Sequence, residues 1–406
     1  MKNENTAGAT NETGWAGRDA LGENGRLPGF PYADPPPDCP AVAGKPPDGQ
    51  VADADKQADA LARLLPLLAE RKFDAARIRR RPPATITFAG GCPFVTAGNL
   101  AAIFAQSGVG KTAVVGAILA AVFHAAARQT AGAAPGAEPD CLSFAALPPP
   151  DAARVFHFDT EQDPADADAV IRRAVKRAEI PAAPSFLDSY ALAGFSAPDL
   201  NLSLKSIAGQ IPAGKLHLVI LDGGADFLAS VNDEAECNAF IAGLHAFAIA
   251  RQCAIVIVCH NNAGSDNPKG RGHLGSQLER KCETVLQLIR DKDNPDTTQI
   301  TAIKTRHATP SAIPRFSWNN DAEMHLTFGT PTRAEIRAEK LISEYAPIVR
   351  DAFNSTGEDL LNYSELVAAL CTVSGKTKNT ISKKITPLQT AGIIRAAGAG
   401  KYALAT

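Results

Sequence analysis

The stretch Asn99-Leu-Ala-Ala-Ile-Phe-Ala-Gln-Ser-Gly-Val-Gly-Lys-Thr112 decides how the chain is read. Leu100 to Ala105 is an apolar run of strand length, a turn containing Gly108 and Gly110 follows, and Ala113 to Val122 is apolar enough for a buried helix. Strand, turn and helix in that order aim successive backbone N–H groups and the positive end of the helix at one point, where phosphate oxygens are held. Lys111 then neutralises the β- and γ-phosphates, and Thr112 offers a hydroxyl to Mg²⁺. The run follows G-x-x-x-x-G-K-[ST] except at its first place, where Ala105 stands for glycine. Ala105, Gln106, Ser107, Gly108, Val109, Gly110, Lys111 and Thr112 are the expected nucleotide cradle, with ATP and Mg²⁺ as the expected cofactors.

Two further strand ends carry carboxylates. Leu218-Val-Ile-Leu-Asp222 is an apolar run closing on an acid, the place for a residue that holds Mg²⁺ directly or through water; by itself it also fits a plain strand end. Gly223 and Gly224 let the chain turn sharply after it. Val155-Phe-His-Phe-Asp-Thr-Glu161 brings Glu161 to a position from which a base could polarise the attacking water. The plainer reading makes Glu161 a loop carboxylate ahead of a helix from Ala165 to Glu179, capped by Asp163 and opened by Pro164.

Around these segments, from Ala84 to Gly329, short apolar runs alternate with helical stretches, the pattern of a mostly parallel sheet covered on both faces. The expected strands are Leu100–Ala105, Arg154–Asp159, Ser185–Ala191, His217–Asp222, Ala254–His260, Glu283–Arg290 and Gln299–Thr305, then an antiparallel pair at Phe316–Trp318 and His325–Phe328. The domain boundaries expected are a disordered leader over 1–50, a helix and linker over 51–83, an α/β core over 84–330 and a separate module over 331–406. The leader is expected to be disordered because it holds eight prolines and eight glycines and few aliphatic residues. Leu61, Leu64, Leu65 and Leu68 recur at helical spacing, with a kink or restart expected at Pro66, before the basic run Arg77, Arg79, Arg80, Arg81.

With 406 residues the chain is long enough for a sizeable core, and its net charge of −2 excludes a chain-wide cationic field. Any nucleic-acid contact must therefore be a local basic patch. Eight cysteines without a C-x-x-C pair, and no signal-like start, point to a reducing cytoplasm. The apolar stretch Ala113 to Ala127 is shorter than a membrane span, so no membrane contact is expected. Cys259, His260 and His273 match no zinc spacing, and buried structural thiols are the better account of Cys253 and Cys259.

The ordered set Ala105 to Thr112, Asp159-Thr-Glu161, Leu218 to Asp222 and His260-Asn261 resembles the RecA-like P-loop ATPases, above all plasmid and mobile-element ATPases similar to hexameric replicative helicases. The resemblance implies a homo-oligomeric ring with ATP between subunits and single-stranded DNA at its centre. It makes Arg271-Gly-His-Leu-Gly-Ser276 a looser form of the family's Arg-Gly-Ser segment, and Lys304-Thr-Arg306 the pair that reaches the γ-phosphate of the adjacent subunit. Lys304 and Arg306 lie two apart in a strand and so point to one face; a salt-bridging role fits that spacing too. His260 at its strand end could sense the γ-phosphate or be a satisfied core histidine, and Lys269 and Arg271 lie in a Gly- and Asn-rich loop suited to a nucleic-acid backbone.

After Pro331 the pattern resembles a winged helix-turn-helix domain, with no acid and six Lys or Arg in the last 36 residues. Lys376, Lys378, Lys383 and Lys384 are its candidate DNA contacts, and Pro387 departs from a regular third helix, expected from Thr377 to about Thr390. The function expected is a Mg²⁺-dependent ATP hydrolase acting on DNA, a ring-forming replicative helicase of a plasmid or mobile element. The alternative is an ATP-switched DNA-binding regulator or recombination accessory protein without unwinding activity.

Overall fold

The computed structural model describes residues 48–131, 138–261, 270–291 and 294–405. The expected leader lies outside these residues except for 48–50, which open the first helix. The chain divides after Arg79. Its first unit is built on α1 (Asp48–Arg71), a single helix that carries Pro66 inside it, so no restart occurs there. Leu61, Leu64, Leu65 and Leu68 share its apolar stripe and are 49–61% exposed. Arg79 folds back on the end of this helix and donates to the carbonyls of Glu70, Arg71 and Lys72, where unpaired C=O groups and the negative end of the helix favour a cation.

The second unit, Arg80–Thr406, opens with β1 (Ala84–Phe88), β2 (Cys92–Thr96) and β3 (Leu100–Ala105), then α2 (Lys111–Ala131) and β4 (Phe144–Ala146). There follow β5 (Arg154–Asp159), α3 (Pro164–Arg177), β6 (Leu187–Ala191), α4 (Ala197–Ile207), β7 (Leu216–Asp222), α5 (Glu234–Arg251), β8 (Ala254–His260) and α6 (Gly272–Lys281). Strands β9 (Thr284–Arg290), β10 (Thr297–Thr305), β11 (Arg315–Asn319) and β12 (Met324–Gly329) complete this part. The main sheet runs β12-β11-β10-β9-β3-β8-β7-β5-β6. Strands β9, β3, β8, β7, β5 and β6 are mutually parallel, and β10 to β12 extend the sheet antiparallel.

Alternation along β3 shows how the sheet is buried on both faces. Ala101, Ile103 and Ala105 pack with α2, while Leu100, Ala102 and Phe104 pack with α4, α5 and α6. All nine strands of this sheet were expected. The small sheet β2-β1-β4 was not. Helix α2 is, by length and composition, long and apolar enough to cross a membrane, contrary to the expectation from Ala113–Ala127, but eleven of its residues are buried in the fold. Cys253 and Cys259 are buried and unpaired, and burial pushes the Cys253 thiol up to about 12.

At the amino-terminal edge of the parallel strands one acid ties several segments together. Glu283 is fully buried; its carboxylate accepts from the N–H and hydroxyl of Thr96, both at 2.9 Å, and pairs with Arg81 at 2.9 Å and His307 at 2.6 Å. Arg81, expected only as part of a basic run, is thus a structural residue.

The remainder is α7 (Arg333–Thr356), β13 (Leu361–Asn362), α8 (Tyr363–Ser374), α9 (Lys378–Ser382), α10 (Ile385–Thr390), β14 (Ile394–Ala396) and β15 (Lys401–Leu404), with sheet order β13-β15-β14. Tyr345, Phe353, Leu366, Leu370, Ile381 and Leu388 form its own core. The third helix expected from Thr377 to Thr390 is two helices broken at Lys383-Lys384. Pro387 therefore sits in the first turn of α10, where its missing N–H has no helical partner to lose.

Replacing Glu283 with Ala strips the buried Thr96 donors of their acceptor, so Glu283→Ala is expected to lower unfolding stability by about 3 kcal/mol in a urea titration.

Candidate functional site

The turn between β3 and α2 is shaped by two glycines in the left-handed region, Gly108 at φ 76° and Gly110 at φ 87°. At Gly110 a side chain is excluded on a second ground, because a Cβ there would come within 2.8 Å of the Phe316 ring. Gln106, Ser107 and Gly108 face solvent, whereas Val109 is buried and pins the turn to the core. The turn is also held from the antiparallel side of the sheet: Arg290 donates to the Gly108 carbonyl at 2.6 Å and the Thr298 hydroxyl to that of Val109 at 3.1 Å. With those carbonyls engaged, the peptide N–H groups are left for a ligand.

Lys111, only 8% exposed, is the first residue of α2. Its ammonium donates to Glu161 Oε1 at 2.8 Å and Oε2 at 2.7 Å, and to His260 Nε2 at 2.8 Å. An ammonium only donates, so the ring nitrogen facing it accepts. His260 Nε2 also lies 3.1 Å from Glu161 Oε1, closing a three-residue cluster drawn from the ends of β5 and β8 and the start of α2. Register places it: Ala105 lies beside His260, and Asp159 beside Asp222. Thr112 accepts a hydrogen bond from Gln162 Nε2 at 3.3 Å, which sets its hydroxyl next to the same strand end.

Asp222 is 2% exposed. Burial, then the nearby Asp159 and Glu161 carboxylates, push its carboxyl up to about 7, and Lys111 opposes them only in part. Asp159 is raised as well, chiefly by burial, although Oδ1 accepts from the N–H groups of Glu161 and Gln162 at 3.0 Å. Such a donor set suits a cation: Asp222 and the Thr112 hydroxyl could hold Mg²⁺, and a Mg²⁺-bound nucleotide would supply the charge that the carboxylates lack. After Asp222 the chain turns at Gly223, φ 103°, where a Cβ would fall 1.9 Å from Thr160 Oγ1. Thr160 in turn donates to Asp226 at 2.7 Å, so the turn that presents Asp222 is fixed from both sides.

The other candidate residues lie elsewhere. Lys304 donates to the carbonyls of Glu279, at 2.5 Å, and Arg280, and Arg306 to that of Lys281 at 3.1 Å. Both cations thus reach one place, as their spacing requires, and that place is the carboxyl end of α6 in the same chain. Lys269 lies outside the described residues; Arg271 is exposed immediately before α6. In the C-terminal part Lys376 pairs with Glu344 and lies 4.6 Å over the Tyr345 ring, and Lys384 lies 5.7 Å over the same ring. Lys378 and Lys383 are exposed.

Sequence reading missed the residues that hold the turn, Arg290, Thr298 and Phe316. It also missed a cavity of about 400 Å³ beside Gly108 and Gly110, lined by Trp318, Asn320 and His325. Trp318 is 48% exposed there, its edge against His325 at 5.3 Å. Arg290 at a strand end and the aromatic residues Phe316 and Trp318 carried the signal, but only the sheet order brings Arg290 beside Gly108, some 180 positions earlier.

The raised Asp222 carboxyl has a signed consequence. The folded chain binds this proton more tightly than the unfolded one, so the contribution to stability is complete below about pH 4 and is lost as pH rises through about 7. In chelator and without nucleotide, Asp222→Asn is expected to match the parent in urea stability near pH 4, to pull ahead progressively as pH rises from there to about 7, and to exceed it by more than about 1 kcal/mol at pH 8. An equal difference at pH 4 and pH 8 would contradict this.

The family model described as AAA domain matches residues 65–266, which include Lys111, Thr112, Glu161, Asp222 and His260. No curated protein matches the chain. Residues 65–266 are therefore an AAA domain of the P-loop, RecA-like ATPase class.

Proposed function

We propose that this chain is a Mg²⁺-dependent ATP hydrolase that works on DNA, as a ring-forming replicative helicase of a plasmid or mobile element. The observation that carries the hydrolytic part is the cluster of Lys111 with Glu161 and His260. The ammonium is held by the carboxylate that would serve as base. An incoming γ-phosphate competes for Lys111 and releases Glu161 to orient water, while His260, touching both, reports which partner the lysine has. The base and ribose would extend toward the cavity at Trp318, whose ring offers a stacking surface.

Assembly and DNA contact rest on different grounds. Lys304 and Arg306 are not at their own chain's Lys111 site, which agrees with their serving a neighbouring subunit. Their release from the α6 carbonyls would couple that neighbour's nucleotide to the segment from Asn261 to Gly272, which leads directly into α6. The helix and strand order from α7 to β15, with sheet order β13-β15-β14, supports the winged helix-turn-helix reading, and Lys378 and Lys383 are exposed cations suited to phosphate contact. The same features favour the second reading, an ATP-switched DNA-binding regulator, if unwinding is absent.

Steady-state ATP hydrolysis with and without single-stranded DNA tests the proposal. Strong stimulation, abolished in Lys111→Ala, followed by ATP-driven separation of a tailed duplex, is expected of a helicase; turnover indifferent to DNA leaves only the switch. Glu161→Gln is expected to lower kcat by about 10²- to 10⁴-fold while ATP still binds, because the base is removed and the phosphate cradle kept. Mixing Lys111→Ala with Arg306→Ala chains is expected to restore part of the activity that each lacks alone. Failure of such mixtures to exceed the sum of the two variants would argue against a shared site.

A further inference from the structure

Directly below the carboxylates that face Lys111 lies a second cluster, of which the ATP reading uses only Asp222. In the parallel register of β5 with β7, Asp159 stands beside Asp222 and His157 beside Ile220. Strand alternation turns His157, Asp159 and Asp222 to the same side, the side that packs on α2. One possible ligand atom from each lies within 4.8 Å of the other two. Atoms sharing one ion at about 2.1 Å are at most about 4.2 Å apart, so a contraction of roughly half an ångström is enough.

The cluster is oriented as a metal site is. His157 and Asp159 are fully buried. His157 Nδ1 is 2.9 Å from the Ser189 hydroxyl, which fixes the ring and leaves Nε2 as the other nitrogen, with no hydrogen-bond partner among the described residues. Asp159 is held through Oδ1 by the two backbone N–H groups that follow it, and its Oδ2, equally buried, also has no partner among the described residues. Buried polar atoms without partners, in residues clustered beside a third carboxylate, are costly unless something joins them. Burial keeps the His157 ring neutral by pulling it down to about 4, the form that binds metals.

We propose that His157, Asp159 and Asp222 hold a divalent cation of the Mn²⁺ or Zn²⁺ class in the absence of nucleotide. One imidazole nitrogen with two carboxylates favours such an ion over Mg²⁺, which prefers oxygen ligands and keeps several waters. The cation would cross-link the ends of β5 and β7 and balance the two buried carboxylates that Lys111 offsets only in part. Only Asp222 is common to this site and to the proposed Mg²⁺·ATP site.

The test is titration of the full-length, chelator-treated protein with Mn²⁺ and no nucleotide, free Mn²⁺ being followed by its electron paramagnetic resonance signal. One Mn²⁺ per chain is expected. His157→Leu, similar in volume and free of polar atoms, is expected to weaken uptake about 100-fold, and Ser189→Ala about 10-fold. Should His157→Leu not fold, His157→Asn is the substitute, too short to reach the ion. Lys111→Ala, which loses the phosphate-binding cation, is expected to keep Mn²⁺ uptake, so failure of the ATP reading and failure of this one are told apart. Absence of stoichiometric uptake, or undiminished uptake in a folded His157 variant, would overturn the proposal.

Discussion

The ammonium group of Lys111 is the pivot of the nucleotide end of the sheet. Parallel register brings the ends of β5 and β7 side by side and so sets Asp159 next to Asp222, with Glu161 two residues further along. Carboxylates at that distance raise one another's proton affinity, and burial adds to the effect. Lys111 enters from α2 as the partly compensating charge, and its position depends on the glycine turn before it. The turn in turn depends on Phe316, Arg290 and Thr298, which occupy the places a looser loop would fill. A chain of dependence thus runs from the antiparallel edge of the sheet to the acid cluster at its centre.

The same logic explains why the opposite ends of the strands are quiet. There Glu283 is also buried, yet it accepts from two Thr96 donors and pairs with Arg81 and His307, so its charge is answered locally. At the nucleotide end the compensation is incomplete: His157 Nε2 and Asp159 Oδ2 are buried without partners among the described residues. Satisfied polar groups make scaffold, and unsatisfied ones mark where a ligand or ion changes the energy.

Much of this was legible in the residues. The nine strands of the main sheet announce themselves because strands buried on both faces are near-continuous apolar runs, and the strand-turn-helix context of Lys111 follows from local pattern alone. Strands β1, β2 and β4 were not legible: β1 and β2 are short and separated by Ala89-Gly90-Gly91, Pro93 sits within β2, and β4 joins them from over fifty residues away. The break at Lys383-Lys384 escaped notice because the apolar spacing from Ile381 to Leu388 reads equally well through it, and only Pro387 hinted otherwise. Glu161 and His260 could be placed at strand ends from sequence, but their shared contact with Lys111 is a product of strand order. His157 was silent, since a polar residue between two phenylalanines looks like ordinary alternation.

The supports of the phosphate turn also separate two meanings of the word domain. The matched family unit ends at residue 266, and the phosphate turn, Glu161, Asp222 and His260 all lie before that point. The carbonyl anchors and the ring that shape the turn come from Arg290, Thr298 and Phe316, all beyond it. The chemical machinery is therefore encoded in one stretch and its stiffness in another. Variation at Arg290, Thr298 and Phe316 can retune how firmly the turn is held while leaving the turn's own residues unchanged.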